Sequence, residues 1–118
     1  MGIEKHLQLR NRTKAFALRI IRMSQVLPKG REANVIANQL LRSATSMAAN
    51  YRAVGRARSK AEFVSKLGIV VEESDETVFW LELLVESGIV KEAKVGQLLG
   101  EANELLAIFA SSRGTARS

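Results

Sequence analysis

Between Ser59 and Ser87 apolar residues recur with the period of a helix, and this stretch predicts the longest element of the chain. Apolar or small residues recur at spacings of four and three, which places them on one face of a helix; they are Phe63, Leu67, Val70, Ser74, Thr77, Leu81 and Leu84. Ser59 and Glu62 form a capping-box pattern at its start, and Gly88 is typical of the residue just beyond a helix. Because such a helix would extend roughly 43 Å, other helices must lie alongside it.

Three further helices follow from the same periodicity, so that the predicted set covers about residues 4–27, 31–57, 60–87 and 91–110. The first two are separated by Pro28-Lys29-Gly30, since proline disfavours helical geometry in the residue before it. Short links between consecutive helices predict an all-α fold, an antiparallel up-down-up-down four-helix bundle, in one domain of residues 1–118. The small, polar tail at 111–118 is expected to be disordered. Gly96 and Gly100 are expected to mark close packing of the fourth helix.

Composition narrows the class of protein. The chain has 118 residues, no cysteine and no apolar run near the roughly 20 residues of a membrane span. The beginning of the chain is polar and basic, without the apolar core of a secretory signal. We therefore expect a cytoplasmic protein with no membrane partner and no disulfide framework.

Charge is distributed unevenly along the chain. Residues 1–60 hold 13 Lys and Arg against 2 acidic residues, a formal +11, whereas residues 61–118 hold 5 against 10, a formal −5. One interpretation is a basic surface for an anionic partner, with an acidic surface elsewhere and head-to-tail self-association between them. The alternative is that the two halves face each other inside one bundle and cancel locally.

Two groups of cations are candidates for binding phosphate. Spacings of seven and three bring one group to a single face of the first helix, namely Arg12, Arg19 and Arg22. The second group crowds the junction between the second and third helices, namely Arg52, Arg56, Arg58 and Lys60, and Arg42 lies on nearly the same face as Arg56. The dipole at the C-terminus of the second helix accounts for one or two of these charges but not for the whole cluster.

A second set of residues is predicted to make helix or subunit contacts: Asn50, Tyr51, Glu73, Glu76 and Trp80. Asn50 lies among small residues of the second helix, where we favour a buried hydrogen bond that fixes helix register over a solvated amide. Glu73 and Glu76 share a stripe with Ile69 and Trp80, which predicts a half-buried contact between helices or subunits.

The chain offers little for catalysis. His6 is the single histidine, so a serine–histidine triad or a histidine-containing metal cluster is excluded within one chain. The di-iron sites of helix bundles need Glu-x-x-His pairs, and the chain has none. We expect a protein that is not an enzyme and has no catalytic residues, metal or cofactor.

Three segments carry a resemblance to a known family: LRSATSMAANYR, RARSKAEF and ESDETVFWLELL. With the surrounding residues 39–90 they resemble the small bacterial four helix bundle proteins. That family includes the 23S ribosomal RNA intervening-sequence proteins and the accessory variability determinants of diversity-generating retroelements. Many relatives carry glutamate where this chain has Ala53, and this chain departs from them there.

The resemblance implies a four-helix bundle that forms homo-oligomers, with homopentamers in the retroelement branch. It also implies, for that branch, binding of nucleic acid and of a reverse transcriptase through a positive surface. Combined with the cation clusters, this gives our leading hypothesis: a non-enzymatic, oligomeric protein that binds nucleic acid, RNA rather than DNA, by its phosphates. The rival hypothesis is an oligomeric structural adaptor that docks an acidic face of a neighbouring copy or of a protein such as a reverse transcriptase.

Overall fold

A computed structural model describes residues 2–118, and Met1 lies outside the described residues. Four helices follow one another: α1 (Ile3–Gln25), α2 (Arg31–Val54), α3 (Lys60–Glu86) and α4 (Glu92–Arg117). No strand occurs within residues 2–118, and the predicted all-α bundle is confirmed. The described residues form a rod with extents of 45 × 21 × 20 Å. None of the described helices combines the length and the apolar character that a bilayer span requires.

The helix α3 begins and ends at the signals that the sequence contains. The Glu62 amide donates to Ser59 Oγ at 3.1 Å, as a capping box requires. The reciprocal half of the box is absent from the described residues, because the Glu62 carboxylate pairs instead with Arg58 at 3.4 Å and with Lys66 at 4.0 Å. At the other end Gly88 adopts a φ of 78°, the left-handed conformation that glycine reaches without a steric penalty.

The predicted inward stripes form the core. Nearly all of the stripe of α3 is buried, with Phe63 half-buried at its start. The largest fully buried side chains come from all four helices and include Phe16, Ile20, Leu40, Met47, Tyr51, Leu67, Leu81, Leu84, Leu105 and Phe109. The buried hydroxyl of Thr77 contacts Ser43 Oγ at 2.9 Å across the α2–α3 contact and the Glu73 carbonyl at 2.8 Å. Polar positions in the stripe are therefore tolerated because they are hydrogen-bonded.

The helices α2 and α3 run in opposite directions. Arg42 of α2 pairs with Glu76 of α3, whereas Val54, further along α2, shares a cavity with Phe63, which lies earlier on α3. Each of α1 and α3 packs against both α2 and α4, and the diagonal pairs make no close backbone approach. The contacts thus support the predicted antiparallel order.

The C-terminal segment differs from the prediction. Residues 111–117 continue α4 as a helix instead of forming a disordered tail. Arg113 connects the segment to α3. Its guanidinium lies against Gly68 and donates to the Val64 carbonyl at 3.4 Å. The alternation of small and polar residues concealed this helix, since its contacts are with α3 and not within the local sequence.

Two predicted helices end earlier than expected, and two glycines have a different role. The helix α1 ends at Gln25 and α2 at Val54, so both links are longer than predicted. A Cβ at Gly96 or Gly100 would meet nothing within 4 Å, and close packing at these positions is wrong for the described chain. The glycines that accept a close neighbour are Gly68 and Gly55.

Candidate nucleic-acid interface

One end of the rod concentrates positive charge. The start of α1, the α2–α3 turn and the end of α4 meet there. Gly2 and His6, at the start of α1, line one cavity with Val54 and Lys60. Lys60 also approaches the Ser118 carbonyl at 3.4 Å. We define the basic end as residues 2–10, 52–66 and 113–118. It holds nine Lys and Arg against two Glu, a formal +7, and the rest of the chain carries −1.

The asymmetry in space therefore differs from the asymmetry along the sequence. Because the helices alternate in direction, parts of the basic half, residues 1–60, lie beside parts of the acidic half, residues 61–118. Along the sides of the rod, cations of the first half meet carboxylates of the second, and local cancellation prevails there. At the basic end the described residues offer few carboxylates, and cancellation fails. Local cancellation, the second interpretation, thus describes the sides of the rod, whereas a basic surface remains at one end; an anionic partner for that surface stays a prediction.

Four of the predicted cations lie on the α2–α3 turn or at the helix ends beside it. Arg52 and Arg56 are exposed, and neither has a carboxylate within 4 Å among the described residues. The Arg58 side chain is 88% exposed, and its pairing with Glu62 at 3.4 Å is long. The Lys60 ammonium is exposed and lies 3.4 Å from Ser118 O, and it pairs with no Asp or Glu side chain among residues 2–118. These side chains remain accessible to an anionic partner.

Arg12 is not available in the same way. Its Nε and Nη2 donate to the two carboxylate oxygens of Glu101 at 2.8 and 2.7 Å, a bidentate pair across the α1–α4 contact. Glu104 accepts a further contact from Nη2 at 2.9 Å. Hydrogen bonding by Arg12 holds the pKa of Glu101 below its usual value, despite burial that acts in the opposite direction. Arg12 therefore joins two helices.

Arg42 is held in a similar way between α2 and α3. Its guanidinium pairs with Glu76 and lies 3.4 Å from a carboxylate oxygen of Glu73. The hydrogen bond from Arg42 lowers the pKa of Glu76, and the Trp80 indole also donates to that carboxylate, at 3.2 Å. The stripe of Glu73, Glu76 and Trp80 thus makes a contact between two helices of the same chain.

Arg19 and Arg22 lie apart from both groups. They line a cleft of about 300 Å³ with Lys94 and Gln97 of α4, towards the end of the rod opposite the basic end. Arg19 acts through space on Glu101, whose pKa it lowers slightly. The face of three arginines predicted for the first helix is therefore divided between an ion pair and a small cleft.

Asn50 makes only local hydrogen bonds in the described chain. Its amide donates to the Ser46 carbonyl at 2.8 Å and to the Ser46 hydroxyl at 3.0 Å, both one turn earlier on α2. The side chain is half-buried, so neither of the two interpretations describes it fully. A bond that fixes the register between helices is not what the structure shows.

A stack of three rings beneath the basic end was not predicted. The ring centroids of His6 and Tyr51 lie 4.9 Å apart, and those of Tyr51 and Phe109 are separated by the same distance. Burial raises the pKa of Tyr51 to about 12. Burial, and secondarily the charge of Arg10, lowers the pKa of His6 from its usual 6.5.

Gly55 makes room for this stack. A Cβ at that position would clash with the His6 ring, although the backbone conformation there is ordinary right-handed helix. The glycine among the arginines was therefore the signal in the sequence, but a single sequence does not reveal which side chain fills its space. Within residues 2–118, no group of three or more acidic or histidine side chains is arranged to hold a metal ion.

The family model for the 23S rRNA-intervening sequence protein matches residues 5–111. The chain belongs to this family. It is also similar to the crystal structure of a protein of unknown function from the S23 ribosomal protein family of Bacteroides thetaiotaomicron. That likeness has a TM-score of 0.84 and 30% identity, and it covers 93% of this chain and 98% of the other. No match was found among curated proteins.

The match to the intervening-sequence family includes only part of the basic end. Arg52, Arg56, Arg58 and Lys60 all fall inside the matched residues 5–111. Arg113 and Arg117, which close the basic end on the side of α4, lie beyond them. The cations of the α2–α3 turn therefore belong to the part of the chain that the family model matches.

Proposed function

We propose that this chain is a non-enzymatic protein that binds RNA through its basic end. The observation that carries the proposal is the pair Arg52 and Arg56, which are exposed and form no ion pair within the described residues, in a region of formal charge +7. Guanidinium groups bind phosphate oxygens in bidentate geometry, and contacts of this kind position a nucleic acid without reading its sequence. The family name, which refers to a ribosomal RNA, supports RNA as the nucleic acid.

Self-association would strengthen such binding. One basic end offers only a few phosphate contacts, and copies held in one assembly would bind a single RNA with a higher effective concentration. We include a homo-oligomer, with the pentamer that the family resemblance implies as one form, in the proposal. Its support from the described residues is the exposed apolar surface that Ile69 and Phe79 form on α3.

The test compares two matched pairs of arginines in the full chain. We expect Arg52→Gln with Arg56→Gln to weaken binding of a labelled, structured RNA roughly ten-fold or more near physiological salt. Two lost phosphate contacts should also reduce the slope of log K against log salt by about 1.4–1.8. The measurement is fluorescence anisotropy over a series of salt concentrations.

The control is Arg19→Gln with Arg22→Gln, which removes the same charge from the cleft near the opposite end. We expect that variant to bind RNA within about two-fold of the wild type, apart from the long-range effect of net charge. Equal losses in the two variants would mean that a basic protein attracts a polyanion without a defined interface. Unchanged affinity in the Arg52 and Arg56 variant would contradict the proposal.

A second candidate function, an adaptor that docks a protein, is favoured by the outer surface of α3. Phe79 is 49% exposed and Ile69 is 43% exposed, and the Phe79 ring packs edge-on against Trp80. Exposed aromatic side chains are common anchors of protein interfaces. The occupant would be another copy of the chain or a partner such as a reverse transcriptase.

Sedimentation of the wild type and of Phe79→Ser tests this candidate. We expect a self-associating wild type to shift towards the monomer in the variant, because the largest exposed ring would be lost from the interface. Val35→Ser, which also removes an exposed apolar side chain but from α2, is the control. A wild type that is monomeric at every concentration would remove the copy of the chain as an occupant.

A further inference from the structure

A cavity of about 530 Å³ opens at the basic end, between the start of α1 and the α2–α3 turn. Apolar side chains of Ile3, Val54 and Phe63 line part of it, and His6, Arg58 and Lys60 line the remainder. None of the described residues that line it is acidic. A cavity with apolar walls, an aromatic ring and two flexible cations suits a ligand that combines a flat apolar group with an anion.

We propose that this cavity binds one nucleotide bearing a phosphomonoester, with the base against the aromatic side chains and the phosphate at Arg58 and Lys60. The inference extends the proposed function, on which it rests, by adding a site for a strand terminus beside the arginines that contact the phosphate backbone. A terminal nucleotide of RNA and a free mononucleotide share the chemistry that the cavity recognises. The experiments below distinguish them.

The size and charge of the cavity favour a nucleotide terminus over the middle of a strand. Its volume lies within the roughly 300–1,000 Å³ that is usual for small-molecule sites. A terminal phosphomonoester carries about −1.5 to −2 near neutral pH, compared with −1 for each internal phosphate, so two cations favour the terminus. Arg58 can turn towards the cavity at little cost, because its 3.4 Å pairing with Glu62 is long and exposed.

The ring stack orients one wall of the cavity before any ligand binds. His6 is packed on Tyr51, which is packed on Phe109, and the absence of a side chain at Gly55 lets the imidazole lie close to the backbone. Stacking of a base on an aromatic side chain stabilises binding and tolerates any base. A wall that is ordered in advance also reduces the entropy lost on binding.

His6 provides a direct probe of the site, because it is the single histidine of the chain. Adenosine 5′-monophosphate is titrated into the full-length protein while the imidazole proton signals are followed by NMR. We expect a saturable shift of the His6 signal, and an affinity that falls at least ten-fold in the Arg58→Gln, Lys60→Gln variant. The Arg19→Gln, Arg22→Gln variant is the control and should behave as the wild type.

Three outcomes of this titration would overturn the inference. Adenosine that binds as tightly as the monophosphate would show that the phosphate is not recognised. Inorganic phosphate that binds as tightly would show that the base is not recognised. A His6 signal that stays unchanged at millimolar nucleotide would exclude the site itself. Urea unfolding of the Arg58→Gln, Lys60→Gln variant checks that its exposed substitutions leave the fold intact.

Matched RNA oligomers separate this inference from the proposed function. Three single strands of one sequence carry a 5′-phosphate, a 3′-phosphate or hydroxyls at both termini. A preference of ten-fold or more for one phosphorylated terminus supports the inference and identifies the source as RNA. Equal, salt-dependent binding of all three overturns the inference while the proposed function stands. Binding of the monophosphate without binding of any oligomer supports a free mononucleotide as the ligand and contradicts the proposed function.

Discussion

Arg12 and Arg52 illustrate two situations of the same side chain in one small bundle. Arg12 lies on the side of the rod, where α4 supplies two carboxylates, and its bidentate pair with Glu101 joins the helices. Arg52 lies at the basic end, where the described chain brings no carboxylate within 4 Å. Position along the rod, and not residue type, separates an arginine that stabilises the fold from one that can bind a partner.

The two arginines also differ in how far solvent screens their charge. The Glu101 side chain is 20% exposed and that of Arg12 is 33% exposed, so their pairing is less screened than that of a fully solvated pair. Arg52 remains hydrated, and the negative end of the dipole of α2 favours its charge. The Arg52 guanidinium can therefore bind a phosphate without first breaking an ion pair among the described residues.

The largest effect that would sharpen this comparison is on stability. We expect Arg12→Met to lower the free energy of unfolding by about 1 kcal/mol, because Glu101 loses both hydrogen bonds and stays partly desolvated. Arg52→Met should change it by less than about 0.5 kcal/mol, as is usual for exposed positions. Urea unfolding of the two variants at neutral pH measures both values.

Acidification provides an internal check of the same prediction. The pKa of Glu101 is lowered in the folded chain, so its contribution is present above its unfolded pKa and is lost as pH falls through the folded value. The stability difference between Arg12→Met and the wild type should therefore narrow at acidic pH. A difference that is constant with pH would assign the effect of the substitution to lost packing of the arginine stem.

The core and the order of helices could be predicted from sequence because they depend on local periodicity. Leu67, Val70, Leu81 and Leu84 recur at helical spacing and are all fully buried. The Ser59 cap and the Gly88 terminus are also local signals, readable within four residues. The local pattern failed at the end of α4, because that part of the helix depends on a distant partner. There Arg113 packs against Gly68 of α3.

The candidate site was predictable only in part, for the same reason. The cations of the α2–α3 turn are adjacent in sequence, and they are adjacent in space as well. Arg12 and its partner Glu101 are 89 positions apart, and nothing in either local pattern indicates that they meet. The stack of His6 on Tyr51 joins different helices in the same way. Separating paired from unpaired arginines requires the tertiary fold.

The smallest predicted effect concerns His6, which tests whether the basic end also contributes to stability. Burial and the charge of Arg10 lower its pKa in the folded chain, while Tyr51, Arg58 and Lys60 supply the other titratable groups near it. Below about pH 6.5 the unfolded chain binds a proton that the folded chain resists, so stability declines until the folded pKa is reached. After allowance for solvent screening, we expect a decline on the order of a few tenths of a kcal/mol between pH 7 and pH 5.

The His6→Gln variant should lose this component, measured by urea unfolding at both pH values with the Arg12→Met variant as a control that retains it. If His6→Gln and the wild type decline equally, the imidazole is not desolvated by the ring stack, and the basic end differs from the sides of the rod in charge alone.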